Sequence, residues 1–192
     1  MSDSRESEAA TVTDSVPILL EAISLEPISK DQASVLENLF ELYVYDFSEQ
    51  LGLDLKPSGL FEIPLGDQWW TRDDHFPFFI RAGQAGTLLG FALVRRGSRV
   101  TVASDVMDVA EFFVVRGARG RGVGQAAARA LFAMFDVPWE IRVRKSNPRA
   151  QKFWSRVVGS WQVSPCTPEP FARDGIEWNL LRVPRSRVLR SV

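Results

Sequence analysis

Histidine and cysteine each occur once in this sequence of 192 residues, as His75 and Cys166. A lone cysteine excludes an internal disulfide and any multi-cysteine metal site, and one histidine leaves a zinc centre short of its usual ligands. No metal is expected. Acids and bases nearly cancel, 24 against 23, for a net charge of −1. No global field therefore draws the chain onto nucleic acid or an anionic membrane, and neither partner is expected. Apolar runs stay far short of the roughly 20 residues that span a bilayer, and the acidic, Ser-rich beginning lacks a secretory charge pattern. The expected location is the cytoplasm. Tyrosine is scarce too, present only as Tyr43 and Tyr45.

What the sequence does have is concentrated between Val109 and Ala130. Asp108 to Val115 is β-branched and aromatic, interrupted by Asp108 and Glu111, as suits a strand buried on most of both faces. Arg116 to Gly124 then holds four glycines and three arginines, and the Ala- and Leu-rich run from Gln125 to Phe132 reads as a helix. A helix start leaves several N–H groups unpaired at a positive dipole end, and glycines there let a phosphate approach the bare backbone. The stretch reads as an anion site for a phosphorylated ligand.

Three ligand classes could use it. A nucleoside-triphosphate loop needs Gly-x-x-x-x-Gly-Lys-Ser/Thr, and no such string is present. A dinucleotide site fits Gly122, Gly124 and Ala127 formally. However, six residues separate Val115 from Gly122, and Arg144 and Lys145 stand where an acid is wanted. The third pattern, Arg/Gln-x-x-Gly-x-Gly/Ala, is met by Arg119, Gly122 and Gly124 and resembles the pyrophosphate loop of the GNAT family of N-acetyltransferases. Downstream, Val137 to Arg144 reads as the next strand. Asn147-Pro-Arg-Ala150-Gln-Lys-Phe153-Trp154 then looks like that family's second motif, Asn-x-x-Ala-x-x-aliphatic/aromatic-Tyr. The two stand in family order and spacing.

The rest of the chain fits this frame. Residues 1–16 read as a disordered tail, 17–184 as one domain and 185–192 as a second tail. Pro17 to Glu26 suits a first strand at a sheet edge. Ser29 with Gln32 forms a capping-box pattern before a helix whose Leu36, Leu39, Phe40, Tyr43, Phe47 and Leu51 share one arc. Tyr43 reads as core. Tyr45, Asp46 and Glu49 read as solvated face, with Tyr45 and Asp46 kept as acceptor-site candidates because this region borders the acceptor pocket in the acetyltransferases. Gly52 to Asp74 is a long loop carrying Trp69 and Trp70, which either close over the core or cover substrate. Phe76 to Ala82 and Thr87 to Arg95 form a hairpin around Gly83 to Gly86, and with the central strand make three antiparallel strands. Gly159 is expected to end the helix after Asn147, with closing strands at Ser160 to Ser164 and Ile176 to Val183. The resemblance implies a mixed, mostly antiparallel α/β sheet of about six or seven strands with about four helices, splayed between its fourth and fifth strands where acyl-CoA enters.

The implied co-substrate is acetyl-CoA and the implied reaction is acetyl transfer to a primary amine of a small molecule or peptide. Glu111 is the candidate base, since a carboxylate among Val109, Phe112 and Phe113 has its charged form disfavoured. The alternative is a structural glutamate paired with Arg142 or Arg144. The resemblance carries co-substrate contacts to Phe113, Val114, Val115, Arg119, Gly120, Arg121, Gly122, Val123, Gly124, Asn147, Phe153 and Trp154. Arg116 joins Arg119 as an expected phosphate contact. Asn147 followed by Pro148 is equally explained as a helix cap. Trp154 stands where the family usually has a tyrosine to meet the departing thiolate, which leaves the general acid unassigned. A non-catalytic acyl-CoA sensor or interaction module of the same fold is the rival reading, and a homodimer is compatible with either.

Overall fold

The computed structural model describes residues 23–83, 86–161 and 166–185. Seven strands form one sheet in the order β1-β2-β3-β4-β5-β7-β6. They are β1 (Ile23–Pro27), β2 (His75–Ala82), β3 (Thr87–Arg96), β4 (Met107–Val114), β5 (Trp139–Arg144), β6 (Glu169–Arg173) and β7 (Ile176–Val183). Four helices flank it, α1 (Ala33–Leu51), α2 (Gln68–Thr71), α3 (Val123–Met134) and α4 (Pro148–Trp161). β1 is an edge strand as expected, although the stretch proposed for its beginning, 17–22, lies outside the described residues. Among the described residues no helix is long and apolar enough to cross a membrane.

The sheet is the middle of three layers, and alternation along each strand sorts the core in two. Leu36 and Leu39 of α1, Trp69 of α2, and Phe79, Phe91, Leu93 and Phe113 form one cluster. On the other face Phe78, Ala92, Val94, Met107, Val109, Ile141 and Val143 pack against Ala128, Leu131, Phe132, Trp154 and Val157 of α3 and α4. Burying each such large side chain contributes about 1.5–3 kcal/mol. At the α1 entry Ser29 N–H donates to Gln32 Oε1 at 3.2 Å, one half of the expected capping box.

Two local features shape the centre. At Gly90 an added Cβ would lie 2.0 Å from the Phe113 carbonyl oxygen, so only glycine lets β3 run this close to β4. In β4 the register slips: Leu93 faces Glu111 but Val94 faces Val109, so Ala110 is an extra residue in a β-bulge. Without the bulge, Glu111 would share the face of Val109, under α3 and α4. With it, Phe112 takes that face, and Glu111 joins Asp108 and Phe113 on the side of α1. At the same point β4 parts from β5. The two pair in parallel only over Met107–Val109 with Trp139–Ile141, after which the edges separate.

Two expectations are corrected at the C-terminal end. Gly159 does not end its helix; α4 runs on to Trp161, since a glycine weakens a helix without breaking it and here nothing lies within 4 Å of it. Ser160 and Trp161 are therefore helical, and residues 162–165 lie outside those described. The strand beside β7 is β6 instead, joined to it by the tight turn at Asp174 and Gly175, both at positive φ.

The close approach at Gly90 predicts that Gly90→Ala lowers stability by about 3 kcal/mol or more, a fall of roughly 6–12 °C in Tm. Gly117→Ala, with nothing within 4 Å and no positive φ, should melt like the parent in the same calorimetric scans.

Candidate active site

Where β4 and β5 part, two cavities meet. One, of about 560 Å³, is lined by Phe113, Val114, Gly120, Gly122, Gly124 and Gln125 on one side and by Arg149, Phe153 and Arg156 of α4 on the other. The second, of about 390 Å³, is lined by Phe40, Val44, Phe47, Leu51, Leu53 and Ile63 above and by Glu111, Arg142, Arg144 and Trp178 below. Tyr43, Phe47, Phe112, Asn147, Ala150 and Trp154 border both, so the two form one passage through the sheet.

The loop is built as the glycines suggest. Gly120 and Gly122 hold φ of 75° and 81°, left-handed values that favour glycine. They turn the chain into α3 so that the N–H groups of Val123, Gly124 and Gln125, which have no acceptor within the helix, form its free end. Gly124 has a packing reason as well. An added Cβ would sit 3.1 Å from Phe153 Cε2, so its absence lets α3 approach α4. Val123 is buried in the core beneath the loop.

The arginines behave differently from expectation. Asp46 accepts from Arg116 Nε at 2.7 Å and also pairs with Arg119 Nη2. Arg119 Nε donates to the Val114 carbonyl oxygen at 2.7 Å, and its guanidinium lies over the Phe113 ring. Arg116 and Arg119 thus border the cleft with their charge already paired, clamping the loop to α1. Asp46 is the centre of that clamp. Arg121 is exposed and lies outside the cavity walls. Arg149 and Arg156, which sequence reasoning passed over, bring exposed cations to the cleft; four and eleven residues past Lys145, only the helical pitch of α4 brings them to the glycines.

Around Glu111 the neighbouring strand supplies no arginine partner. Asp108, fully buried, accepts from Arg142 Nε at 2.9 Å and from Arg95 Nε at 2.9 Å, linking β3, β4 and β5. The pairing of Glu111 with Arg142 or Arg144, offered above as its structural alternative, is not formed. Its partner is Tyr43, whose hydroxyl donates to Glu111 Oε2. Tyr43 was read as core, and its ring does pack against Phe47, Phe91 and Phe113. A tyrosine on an apolar arc still needs an acceptor for its hydroxyl, and that was the available signal. Desolvation raises the pKa of Glu111, while the Tyr43 hydrogen bond and, less strongly, Arg142 and Arg95 pull it down. Burial, then the charge of Glu111, raises Tyr43 well above its ordinary value, so the phenol stays protonated as a donor.

Asn147 is the helix cap its alternative reading described. Its Oδ1 accepts from Ala150 N–H at 2.9 Å, and the side chain is buried at the wall of both cavities. Trp154 is buried, edge-on to Phe112 at 5.2 Å between ring centroids. Tyr45 is exposed, and Trp69 is buried with its ring 4.9 Å from that of His75. Tyr45, Trp69, Trp70 and Val115 do not line either cavity. The two tryptophans close over the core, the first of the two roles they were offered.

A family model described as the acetyltransferase (GNAT) family matches residues 36–159. The chain belongs to the GNAT acetyltransferase family. Solved structures share its fold at low identity. An acetyltransferase from Thermus thermophilus is 16% identical with a TM-score of 0.65, covering 88% of this chain and 99% of that one. A histone acetyltransferase HPA2 and related acetyltransferase from Corynebacterium glutamicum is also 16% identical, with a TM-score of 0.59 and the same coverages. The spermidine/spermine N-acetyltransferase SpeG from Vibrio cholerae is 10% identical, with a TM-score of 0.55, over 88% of this chain and 96% of that one. No curated protein sequence matches significantly.

Because the Tyr43 hydrogen bond favours ionised Glu111, Tyr43→Phe should shift the titration of Glu111 to higher pH. Carboxyl-carbon NMR of the labelled protein checks this; an unmoved or lowered pKa would mean the contact does not govern the carboxylate.

Proposed function

We propose that this GNAT acetyltransferase moves an acetyl group from acetyl-CoA to a primary amine of a small molecule or peptide by direct attack. The observation that carries the reading is the position of Glu111, hydrogen-bonded to Tyr43 and unpaired with arginine, in the wall of the cavity that opens onto the glycine-lined cleft, with burial raising its pKa. Acetyl-CoA is the acyl donor the family generally uses, supplying a thioester carbonyl. The cleft fits such a molecule on its own features. Free helix-start N–H groups and the cations of Arg149 and Arg156 suit phosphates. The unpaired β4 edge beyond Val109 suits the amides of an extended arm. Asn147, Phe153 and Trp154 would line the path of that arm.

In this reading Glu111 accepts the proton that the amine, with a pKa near ~10, must lose before it can attack. Tyr43 holds the carboxylate toward the passage. No Ser, Cys or Thr lines either cavity among the described residues, which supports direct attack over an acyl-enzyme. A thiolate of pKa near ~8.5 needs little help to leave, and Trp154 gives none. The sensor reading rests on that tryptophan alone, and the poised carboxylate favours the enzyme. The spermidine/spermine relative shares the fold, but the arginines below Glu111 argue against a polyamine acceptor here.

Two variants test the parts separately. Gly120→Asp adds a negative charge with nothing within 4 Å at a left-handed position that aspartate visits at a cost of about 1–2 kcal/mol, so it should fold with a modestly lowered Tm. It should nonetheless weaken acetyl-CoA at least about tenfold in calorimetry, as like charge at a phosphate site requires; unaltered affinity would remove the loop from the binding site. Glu111→Gln should keep acetyl-CoA affinity and lower turnover on the order of 10²-fold, with the acidic limb of the pH profile gone. The raised pKa favours the folded state fully below the unfolded value near ~4.3, an advantage lost as pH rises through the folded value. Glu111→Gln should therefore gain Tm relative to the parent as pH increases. A variant that melts lower at alkaline pH yet acetylates normally would make Glu111 structural.

A further inference from the structure

A third cavity, of about 430 Å³, opens on the α1 side of the sheet beyond Glu111. Arg95, Arg99, Arg142 and Arg173 line it with Asp174 and Trp178. Arg142 and Trp178 also line the cavity that holds Glu111, so the two are adjoining compartments. Register fixes their separation. Leu93 faces Glu111 across β3 and β4, and Arg95 lies two residues further on the same face, about 7 Å along the strand.

The charge there is only partly compensated. Four guanidinium groups face two carboxylates, the buried Asp108 between Arg95 and Arg142, and Asp174, exposed and 4.0 Å from Arg173. Burial holds Arg95 below its ordinary pKa, and Arg99 and Arg142 push the same way against the pull of Asp108. Arg144, next on the same face, has no carboxylate partner among the described residues and lies with Arg142 against the Trp178 ring. An almost neutral protein thus places uncompensated positive charge a short reach from the candidate base. An ammonium group is repelled by such a wall, whereas a carboxylate or phosphate is drawn to it and can be gripped in the guanidinium fork.

Resting on the acetyltransferase reading above, we propose that the acceptor is an amine that also carries an anionic group, carboxylate or phosphate. Its amine reaches Glu111 while the anion is received by Arg99 and Arg173 at the open rim of the third cavity. The apolar wall from Phe40 to Ile63 takes the part between. Arg95 and Arg142 set the potential through their hold on Asp108 and are not free to move.

The test uses ω-amino carboxylates of graded length, the matching ω-aminoalkyl phosphates, ω-amino amides and diamines, scored by free-thiol release from acetyl-CoA. The anionic acceptors should exceed the amides in kcat/KM by about 10- to 100-fold, the range of a charge-assisted hydrogen bond, with diamines poorest. Whether carboxylate or phosphate leads identifies the anion. Arg99→Gln and Arg173→Gln should raise KM for the anionic series and leave the amide series unchanged. Amides or diamines used as well as the anionic amines would overturn the proposal, as would variants that slow every series alike or none. Acetyl-CoA affinity, measured by calorimetry on the same proteins, separates the outcomes. If acetyl-CoA binds and neutral amines are acetylated without preference, the acetyltransferase reading stands and only the anion site falls; if acetyl-CoA does not bind, both fall.

Discussion

The parting of β4 from β5 is the constraint on which the rest depends. Two parallel strands that stayed paired would satisfy each other's backbone and close the sheet. Here three residues pair and the rest of each edge is left to line a passage. The bulge at Ala110 adds a residue to one strand, increases its twist and starts the divergence. Phe112 and Trp154 then fill the α4 side of the gap with edge-on aromatic packing. Opening the sheet and reorienting Glu111 are consequences of that one extra residue. The same residues in regular alternation, with Ala110 paired, would carry the carboxylate into the core beneath α3 and α4.

Charge pairing follows the same geometry. Asp108 occupies the middle of the three paired levels between β4 and β5 and ties Arg95 and Arg142 across three strands. Breaking such a buried pair typically costs about 3–5 kcal/mol, because a charge is left unpaired in low dielectric. Asp46 does the equivalent at the surface, fixing the arginines of the glycine loop to α1. With both aspartates committed, Glu111 pairs with a phenol and with no cation, and desolvation prevails over that hydrogen bond and the weaker pull of Arg142 and Arg95 in setting its pKa. Neutral phenol and perturbed carboxylate suit proton acceptance better than an ion pair would, since an adjacent guanidinium would depress the base.

Much of the fold was legible because its signals are local. The three central strands, the glycine loop and the helix after it, and Asn147 as a cap each rest on residues within a few positions of one another. The misreadings share one cause. Gly159 looked like a helix end by propensity, but α4 is held by Trp154, Val157 and Val158 against the sheet, which outweighs one weak residue. β6 carries little alternation because it is a mostly exposed edge, so no apolar period announces it. Arg116 and Arg119 do line the cleft, but the aspartate they pair with lies some seventy positions away, on another helix, where no local pattern announces it.

By itself the sequence determined that a glycine-rich helix start follows a buried strand, that a carboxylate sits in that strand, and that a single cysteine leaves no internal disulfide. These are properties of composition and short-range spacing. Only tertiary structure decided which face Glu111 occupies, which acid each arginine meets, and that Tyr43 from α1 completes the carboxylate's surroundings. It also decided that arginines from β3, β5 and β6, and from the turn after β3, gather on one side of the opening. The reason is physical. Bulges, register and helix packing bring together groups far apart in the chain, and electrostatic energies depend on those distances in space.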